Sequence, residues 1–350
     1  MRLTPTLSAA GLSLSLCGTA HAQLIPTHQS GDTWFTEAES VVEAKASAEL
    51  PKEKAKNVIL FVGDGMGIST LTAARILEGQ LDGADGEENF LSFESFPYSA
   101  QVKTYNTNQQ TPDSAGTMTA MISGVKTKAG VIGLAEDITR QDCESFLGFE
   151  LPTLLDYAEL SGLSTGVIST ARITHATPAA TYAKSAERNW EDISDMGDQA
   201  DKGCKDIADQ LVNYPHGDGI DVVFGGGRRH FLPNSAEANI EKPVESGAEG
   251  DRTDDRNLIE EWQALHPEGE VVHSTADFNA IGSTTTKVLG LFNESHMLYE
   301  ADRSNDILGE PSLSEMTAKA IEVLSQNDQG YLLVVESGRI DHGHHAGSAY

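Results

Sequence analysis

The chain has 350 residues, of which 39% are hydrophobic and 22% are charged. This composition is typical of a globular protein with a sizeable core and argues against a disordered chain. The formal net charge is −29 at pH 7, from 53 acidic and 24 basic residues. Because such a surface repels nucleic acids and anionic membranes, we expect neither as a partner.

The first 22 residues have the pattern of a secretory signal peptide. Arg2 precedes an apolar segment at 7–16, and the small-residue pattern AHA follows at 20–22. This arrangement predicts cleavage after residue 22 and a periplasmic or secreted protein. Lipid attachment at Cys17 is the alternative. No later segment approaches the roughly 18 uninterrupted apolar residues of a membrane helix.

Export changes how Cys143 and Cys204 are interpreted. In an oxidising compartment, a pair of cysteines forms a disulfide more often than a metal site. Closing a loop of this length contributes on the order of 4 kcal/mol in the chain-entropy model. Two buried free thiols are the alternative.

Short β-type runs alternate with helical patterns after a polar N-terminal arm at 23–56. The runs lie at 58–62, 164–170, 220–227 and 330–338, and the helical patterns at 69–79, 151–161, 198–213 and 312–326. Strands that are apolar on both faces and alternate with helices predict an α/β fold with a doubly wound, mainly parallel central sheet flanked by helices. We expect one domain over 57–350.

Acidic residues are dense between 237 and 261. The same stretch contains Pro243, Gly247 and Gly250 and shows little apolar periodicity. It predicts an acidic, solvated surface insertion at 236–270 and not a binding site.

The segment VVESGRIDHGHHAG, residues 334–347, is the richest in candidate metal ligands. An apolar strand delivers Glu336, and Asp341 and His345 follow among other histidines. Oxygen and imidazole ligands at this density suit zinc, and a neighbouring carboxylate suits a harder ion such as magnesium. A polar loop of solvated histidines is the alternative.

Other strand ends add candidates at the same edge of the sheet, where ligands bind in such folds. Asp64 lies between glycines in VGDGMG, at the end of the first strand. Asp64 and Glu336, at the ends of two strands, would together form a metal site. ITHATPAATYA offers His175 and Thr177, or forms a simple turn. Arg188 in AERNW is an anion ligand or a surface charge.

Ser114 lies in QTPDSAGTMTAMISG, residues 110–124, just before a helix-compatible run of small residues. One role is a helix cap, which stabilises a helix by about 1 kcal/mol. The other is a nucleophile, and because no histidine is near in sequence, a metal ion would have to lower its proton affinity. A serine at a helix N-terminus also lies where an anion is favoured.

Seven segments taken together resemble the alkaline phosphatase family. They are VGDGMG, TPDSAGTMTAMISGVKT, ITHATPAATYA, ERNW, GCKDIADQL, DVVFGGGRRHF and VVESGRIDHGHHAG, in this order. The similarity covers the chain from about residue 57 to its end. Each segment alone is weak evidence, but the ordered set is specific.

The resemblance implies hydrolysis of small-molecule phosphate monoesters at alkaline pH. Ser114 matches the nucleophile, which attacks phosphorus in line and forms a phosphoserine that is then hydrolysed. Arg188 matches the guanidinium that holds two phosphoryl oxygens, and we expect Asp113 to orient it. Cys143 and Cys204 resemble a disulfide pair of some members, and family members are commonly homodimers.

The resemblance also implies two zinc ions and one magnesium ion. Asp64 matches the carboxylate between one zinc and the magnesium, and Ser114 binds that zinc. Glu336 and Thr177 match magnesium ligands, with His175 beside them. The second zinc is matched by two residues of the DHGHH segment, Asp341 and His345.

The zinc sites are incomplete in these residues. In the family, further ligands of both zinc ions come from sequence beyond DHGHH, whereas this chain ends at Tyr350. We therefore expect a chain truncated at its C-terminus. The alternatives to a phosphomonoesterase are a phosphodiesterase or sulfatase on the same scaffold, or a metal- or phosphate-binding protein without turnover.

Overall fold

A computed structural model describes residues 31–47 and 54–347. The predicted signal peptide at 1–22 and parts of the predicted arm lie outside the described residues. The described residues belong to two compact units. The smaller comprises the residues up to Lys54 together with 90–100, and the larger comprises 55–89 and 101–347.

The smaller unit contains helix α1 (Thr33–Ser47) and a 3-10 turn at Ser92–Ser95. The carboxylate of Asp32 accepts a hydrogen bond from the backbone N–H of Trp34 at 3.0 Å, which fixes the start of α1. Within this unit, Lys45 Nζ donates to the carbonyl of Phe96 at 3.0 Å. The sequence predicted a polar arm here but did not predict the helix.

The larger unit is built on a single parallel sheet of six strands with the order β1-β6-β2-β3-β5-β4. The strands are β1 (Val58–Gly63), β2 (Ser164–Arg172), β3 (Val222–Gly226), β4 (Glu270–Val272), β5 (Val288–Leu291) and β6 (Tyr331–Ser337). The predicted α/β fold with a mainly parallel, doubly wound sheet is confirmed. Strands β4 and β5 were not predicted.

Nine helices of the larger unit lie among the described residues. They are α2 (Ile68–Leu81), α3 (Ser114–Ser123), α4 (Leu154–Leu160), α5 (Ala176–Tyr182), α6 (Ile207–Val212), α7 (Leu258–Leu265), α8 (Thr275–Ala280), α9 (Leu313–Leu324) and α10 (Arg339–Ala346). In the described residues, no helix has the length and apolar character needed to cross a bilayer.

Each face of the sheet carries its own hydrophobic core. Val167 of β2 packs into the cluster that includes residues of α3 to α7, whereas the next residue, Ile168, packs into the cluster of α8 and α9. This alternation follows from the two-residue period of a strand. Because both faces are covered, the central strands carry apolar residues on both faces.

The predicted helix at 198–213 is only partly helical. Residues Gly197–Lys202 form a 3-10 turn, and Gly203 with φ +90° ends it in the left-handed region that favours glycine. Helix α6 starts afterwards, where Asp206 accepts from the N–H of Asp209. The α-helical part of this segment is therefore six residues long.

Strand β1 forms one edge of the sheet and is less buried than the central strands. Its only described neighbour in the sheet is β6, with Val58 opposite Leu332. Phe61, in the middle of the strand, is 64% exposed. An apolar side chain thus lies beside a strand edge that has no partner strand among the described residues.

Cys143 and Cys204 form a disulfide, with their Cα atoms 5.8 Å apart. The predicted pairing is therefore confirmed, and two free thiols are excluded. Cys143 belongs to a third hydrophobic cluster, which includes Trp190 and Met196, and Cys204 packs against it. The bridge joins the 3-10 turn Cys143–Ser145 to the residues that follow the 3-10 turn Gly197–Lys202.

The acidic segment 236–270 contains buried ion pairs that its composition did not indicate. Arg228 is fully buried and donates to Glu249, also buried, at 2.5 Å and to Glu241 at 2.7 Å. Arg252 is 1% exposed and pairs with Asp206 at 3.0 Å. Through these ion pairs, the two arginines hold the segment to the body of the larger unit.

Candidate active site

The carboxyl ends of β1, β6 and β2 bring polar residues together. Glu336 of β6 lies opposite Val62 of β1 on one side and opposite Ser169 of β2 on the other. Asp64 follows β1 immediately. Because parallel strands all end at the same edge, two carboxylates that are far apart in sequence become neighbours.

Burial and mutual repulsion raise the pKa values of these carboxyl groups. Burial, with the nearby charges of Asp64 and Asp341, raises the pKa of Glu336 to about 7. Burial, followed by the charge of Asp341, raises the pKa of Asp64 to about 6. Gly65 has φ +66°, and a Cβ there would lie 2.7 Å from Asp341 Oδ1, so glycine permits this close approach.

Three buried oxygen atoms of this cluster lack a hydrogen-bond partner in the described part of the chain. They are Oδ2 of Asp64, Oγ1 of Thr177 and Oε1 of Glu336. Buried polar atoms are normally satisfied, so unpaired acceptors in one place indicate a missing ligand. Oxygen donors with excess negative charge fit a hard divalent cation.

Ser114 is the first residue of α3, and Asp113 is its N-cap. Oδ1 of Asp113 accepts from the N–H of Gly116 at 3.1 Å. The cap hypothesis for Ser114 is therefore wrong, because the preceding aspartate already satisfies the first helical turn. The serine hydroxyl accepts or donates no hydrogen bond within residues 31–47 and 54–347, and it lies where the helix dipole favours an anion.

Asp113 also fixes Arg188. Its Oδ2 accepts from the N–H of Gly130 at 2.8 Å and from Nη1 of Arg188 at 3.2 Å. Nη2 of the same guanidinium donates to Nε2 of His175 at 3.1 Å. The planar group is thus held at both ends beside the serine.

Three imidazoles lie together next to Arg188, and the sequence did not indicate this cluster. His175, His296 and His342 each offer a nitrogen, and these atoms lie within 4.8 Å of one another. Each ring also contacts a guanidinium: Arg188 at His175, Arg172 at His296 (2.5 Å) and Arg339 at His342 (2.9 Å).

The three imidazoles are held neutral in this environment. Burial and then the charge of Arg188 lower the pKa of His175 to about 3, and burial and Arg172 lower that of His296 to about 2. Burial and Arg339 also lower the pKa of His342. Neutral rings accept hydrogen bonds from guanidinium groups, and a nitrogen that does so would bind a metal ion only if the guanidinium moved away.

Helix α10 carries the last predicted ligands. Asp341 lies close to Gly65, the residue after Asp64, and its Oδ2 is 3.3 Å from Nε2 of His345 one turn later. His345 is largely exposed, with 80% of its side chain accessible. The structure therefore pairs the two predicted ligands of the second zinc at a solvent-facing position.

Comparison with known proteins matches residues 55–350 to the family described as alkaline phosphatase. The chain belongs to the alkaline phosphatase family. The predicted resemblance is thus confirmed, and the matched region includes every predicted catalytic and metal-binding residue.

Relatives in the alkaline phosphatase family include vertebrate and insect proteins. The chain is 45% identical over 336 residues to the tissue-nonspecific isozyme of Gallus gallus, covering 94% of this chain and 64% of that protein. It is 43% identical to the isozyme of Homo sapiens (90% and 60% covered) and 42% identical to membrane-bound alkaline phosphatase of Bombyx mori (91% and 58%). The chain therefore spans less than two thirds of the length of these relatives.

Solved alkaline phosphatases share the fold. The Thermus thermophilus enzyme superposes with a TM-score of 0.64 at 25% identity, over 86% of this chain and 56% of that chain. The enzyme of the Antarctic bacterium TAB5 gives a TM-score of 0.61 at 24% identity, over 85% and 69%. Membership of this family implies metal cofactors, and the described residues include candidate ligands.

Proposed function

We propose that this alkaline phosphatase family member hydrolyses phosphate monoesters through Ser114. The observation that carries the proposal is the placement of Ser114 at the start of α3, where Asp113 caps the helix and holds Arg188 at 3.2 Å. One carboxylate thereby positions the nucleophile and the phosphate-binding guanidinium together. Phosphoryl transfer depends mainly on such positioning and on charge stabilisation.

The reaction proceeds in two displacements. The Ser114 oxygen attacks phosphorus in line as the bond between phosphorus and the ester oxygen breaks. The hydroxyl proton of Ser114 passes to solvent, and the departing oxygen takes a proton from solvent and leaves as the alcohol. Water then attacks the phosphoserine, which releases inorganic phosphate and restores the serine. Arg188 binds two phosphoryl oxygens in both steps, and its fork remains aligned because Asp113 and His175 hold its two ends.

The unpaired oxygens of Asp64, Thr177 and Glu336 would hold magnesium, with His175 beside them. Asp64 and Ser114 would contribute to one zinc site, and Asp341 and His345 to another. Bound metal ions supply Lewis-acid stabilisation and lower the proton affinity of the attacking oxygen. The described residues themselves orient the ester and bind its charge, and their surroundings keep the imidazole of His175 neutral.

We also propose that the protein is exported. The signal-peptide pattern of residues 1–22 and the Cys143–Cys204 disulfide are both typical of a periplasmic or secreted protein. N-terminal sequencing of the mature protein tests this, and an N-terminus at residue 23 is the expected result.

The catalytic proposal is tested with p-nitrophenyl phosphate and its bis ester at alkaline pH, with zinc and magnesium added. The chain is compared with Ser114→Ala, and Ser123→Ala is the matched control because Ser123 lies in the same helix and donates to the carbonyl of Thr119. We expect Ser114→Ala to lose hydrolysis and Ser123→Ala to retain it.

Other outcomes identify the alternatives. Equal rates for the chain and Ser114→Ala would contradict the role of Ser114. A preference for the bis ester would identify a phosphodiesterase, and phosphate binding without any hydrolysis would identify a binding protein.

A further inference from the structure

An ion pair that the proposed function does not use lies directly beside Arg188. Glu187 precedes Arg188 in the chain, and its side chain is 2% exposed. Its carboxylate oxygens accept from Nε and Nη2 of Arg140 at 2.8 and 2.9 Å. Two parallel charge-assisted hydrogen bonds of this kind fix the orientation of both groups. The buried carboxylate is thus held in one position.

Glu187 accepts two further hydrogen bonds. Nε2 of Gln141 donates to Oε2 at 3.0 Å, and the backbone N–H of Asn189 donates to Oε1 at 3.2 Å. Because Asn189 follows Arg188 in the chain, the carboxylate binds the backbone on the far side of the arginine. The backbone of Arg188 therefore lies between the residue that supplies the carboxylate and a residue that donates to it.

The guanidinium of Arg140 packs against the backbone of Gly130. A Cβ at residue 130 would meet Cζ of Arg140, so a larger residue would displace the guanidinium. Both polar backbone groups of Gly130 serve the proposed phosphate site. Its N–H donates to Oδ2 of Asp113 at 2.8 Å, and its carbonyl accepts from the backbone N–H of Arg188 at 2.9 Å. Arg140 thus covers a residue that holds both Asp113 and Arg188.

Strained backbone next to Arg140 supports a specific role for this arrangement. Gln141 has a φ of 65°, in the left-handed region that residues other than glycine rarely adopt. Its backbone N–H donates to the carbonyl of Ala186 at 3.1 Å, and its side chain donates to Glu187. Such conformations persist where surrounding contacts hold them, and they are frequent at functional sites. The contacts that hold Gln141 come from the segment that leads into Arg188.

We propose that Glu187 and Arg140 are positioning residues for Arg188. Glu187 fixes the backbone on both sides of Arg188, and Arg140 fixes the Gly130 backbone to which Arg188 is bonded. The guanidinium of Arg188 is thereby aligned with Asp113 before the phosphoryl group arrives, which is how a preorganised site stabilises charge. This inference rests on the proposed function and adds two residues that act through Arg188 and are not assigned a contact with substrate.

The test measures the binding of inorganic phosphate by calorimetry, on the full chain with zinc and magnesium added. Glu187→Gln keeps the shape of the side chain and removes its charge. We expect the variant to bind phosphate about tenfold more weakly, the order expected for one charge-assisted hydrogen bond. Removal of a negative charge near an anion site would by itself tighten binding. The sign of the change therefore separates positioning from a direct electrostatic effect.

A double-mutant cycle shows whether the effect passes through Arg188. When Glu187→Gln is introduced into Arg188→Ala, the dissociation constant for phosphate should not change further. Glu261→Gln is the matched control, because it also removes a carboxylate that binds Nε and Nη2 of one arginine, Arg256, at 2.9 and 2.5 Å. This pair takes no part in the proposed site, so the control should leave phosphate binding unchanged.

Arg140→Gln supplies a second cycle that serves if Glu187→Gln does not fold. The side chain of Arg140 is 42% exposed, so its replacement disturbs less of the interior. Arg140→Gln should weaken phosphate binding in the unmodified protein but not in Arg188→Ala. A direct electrostatic effect of the lost charge would appear in both.

Unchanged or tighter phosphate binding in Glu187→Gln would overturn the inference and leave the proposed function intact. An equal loss in the unmodified protein and in Arg188→Ala would also overturn it, because a general structural role predicts that result. Unchanged binding in Arg188→Ala alone would instead contradict the proposed function, in which Arg188 holds the phosphoryl group. Hydrolysis dependent on Ser114 is scored separately, so the two failures are distinguishable.

Discussion

Arg188 donates from Nη2 to Nε2 of His175 across 3.1 Å, which assigns the proton of the imidazole to Nδ1. A guanidinium can only donate, so the facing nitrogen must accept. Nδ1 is buried without a partner in the part of the chain that the structure describes. The ring therefore orients Arg188 only while it is neutral, and its pKa of about 3 keeps it so.

Asp113→Asn should lower kcat/KM for p-nitrophenyl phosphate by about tenfold, the loss expected for one charge-assisted hydrogen bond. The amide oxygen can still cap α3, but the ion pair with Arg188 at 3.2 Å is lost. Steady-state kinetics and thermal melting are measured together. The substitution also replaces the Oδ2 acceptor of the Gly130 N–H by an amide donor, so the kinetic loss should be accompanied by a lower Tm.

Asp142→Asn is the matched control for this substitution. Asp142 caps the 3-10 turn at Cys143–Ser145 by accepting from the N–H of Glu144 at 3.1 Å, and it takes no part in the proposed site. A similar kinetic loss in both variants would argue against a specific role of Asp113.

Glu336→Gln should raise the Tm of the protein in EDTA at pH 8 and reduce the further rise caused by magnesium. Burial raises the pKa of Glu336 from 4.5 to about 7. The metal-free folded state therefore loses stability as the pH rises between these two values. The amide removes the buried charge and one candidate ligand. Calorimetry with and without magnesium measures both effects, and Glu322→Gln, at an exposed carboxylate, is the control. An unchanged magnesium response would contradict the proposed ligand.

Glu159→Gln tests a second buried carboxyl group, away from the site. Burial raises the pKa of Glu159 to about 8, although its Oε1 accepts from Thr165 at 2.5 Å. Because a raised acid pKa destabilises the fold as pH rises from about 4.5 to about 8, the variant should match the parent at pH 5 and exceed its stability at pH 9. Urea unfolding at the two pH values provides the measurement.

Glu315→Gln should show the opposite dependence of stability on pH. Hydrogen bonds from Ser312 lower the pKa of Glu315 in the capping box of α9, so its contribution is present at neutral pH and lost on acidification. This variant should be less stable than the parent at pH 7 and approach it at low pH. Parallel behaviour of the two variants would contradict the assigned pKa directions.

Removal of the Cys143–Cys204 disulfide should destabilise the protein by about 2–5 kcal/mol. The bridge closes a loop with a sequence separation of 61 and covers the cluster around Trp190. The double substitution to serine, Cys143→Ser with Cys204→Ser, is compared with the parent by urea unfolding. Equal midpoints for the two proteins would show that the bridge does not stabilise the fold.

The sequence predicted the sheet where strands are long, and it failed where they are short. β2 and β6 have nine and seven residues, which is long enough to be recognised, although β2 also contains serine, threonine and arginine. β4 and β5 have three and four residues and give no usable pattern. His296 lies in the segment after β5. Because β5 was not predicted, the position of His296 at the candidate site was not predicted either.

Candidate site residues could be predicted where they stand at strand ends. Residues whose role depends on a side chain far away in the sequence were harder to predict. Asp64 and Glu336 follow from the rule that ligands bind at carboxyl ends of strands. The choice between cap and nucleophile at Ser114 needed coordinates, because Asp113 is an equally good capping residue. Arg228 could not be assigned from sequence, since its partner Glu249 lies in a stretch that composition alone marks as surface.

The exposed edge of the sheet has a consequence for how this polypeptide behaves in solution. Beside Phe61, β1 presents a row of backbone N–H and C=O groups that β6 does not use and that no other strand of the described part of the chain pairs with. Such a row is a template for one more strand, and an apolar β-forming peptide that docks there would extend the sheet and cover the aromatic ring. Self-association through the β1 edge should therefore increase with protein concentration, and Phe61→Lys should suppress it.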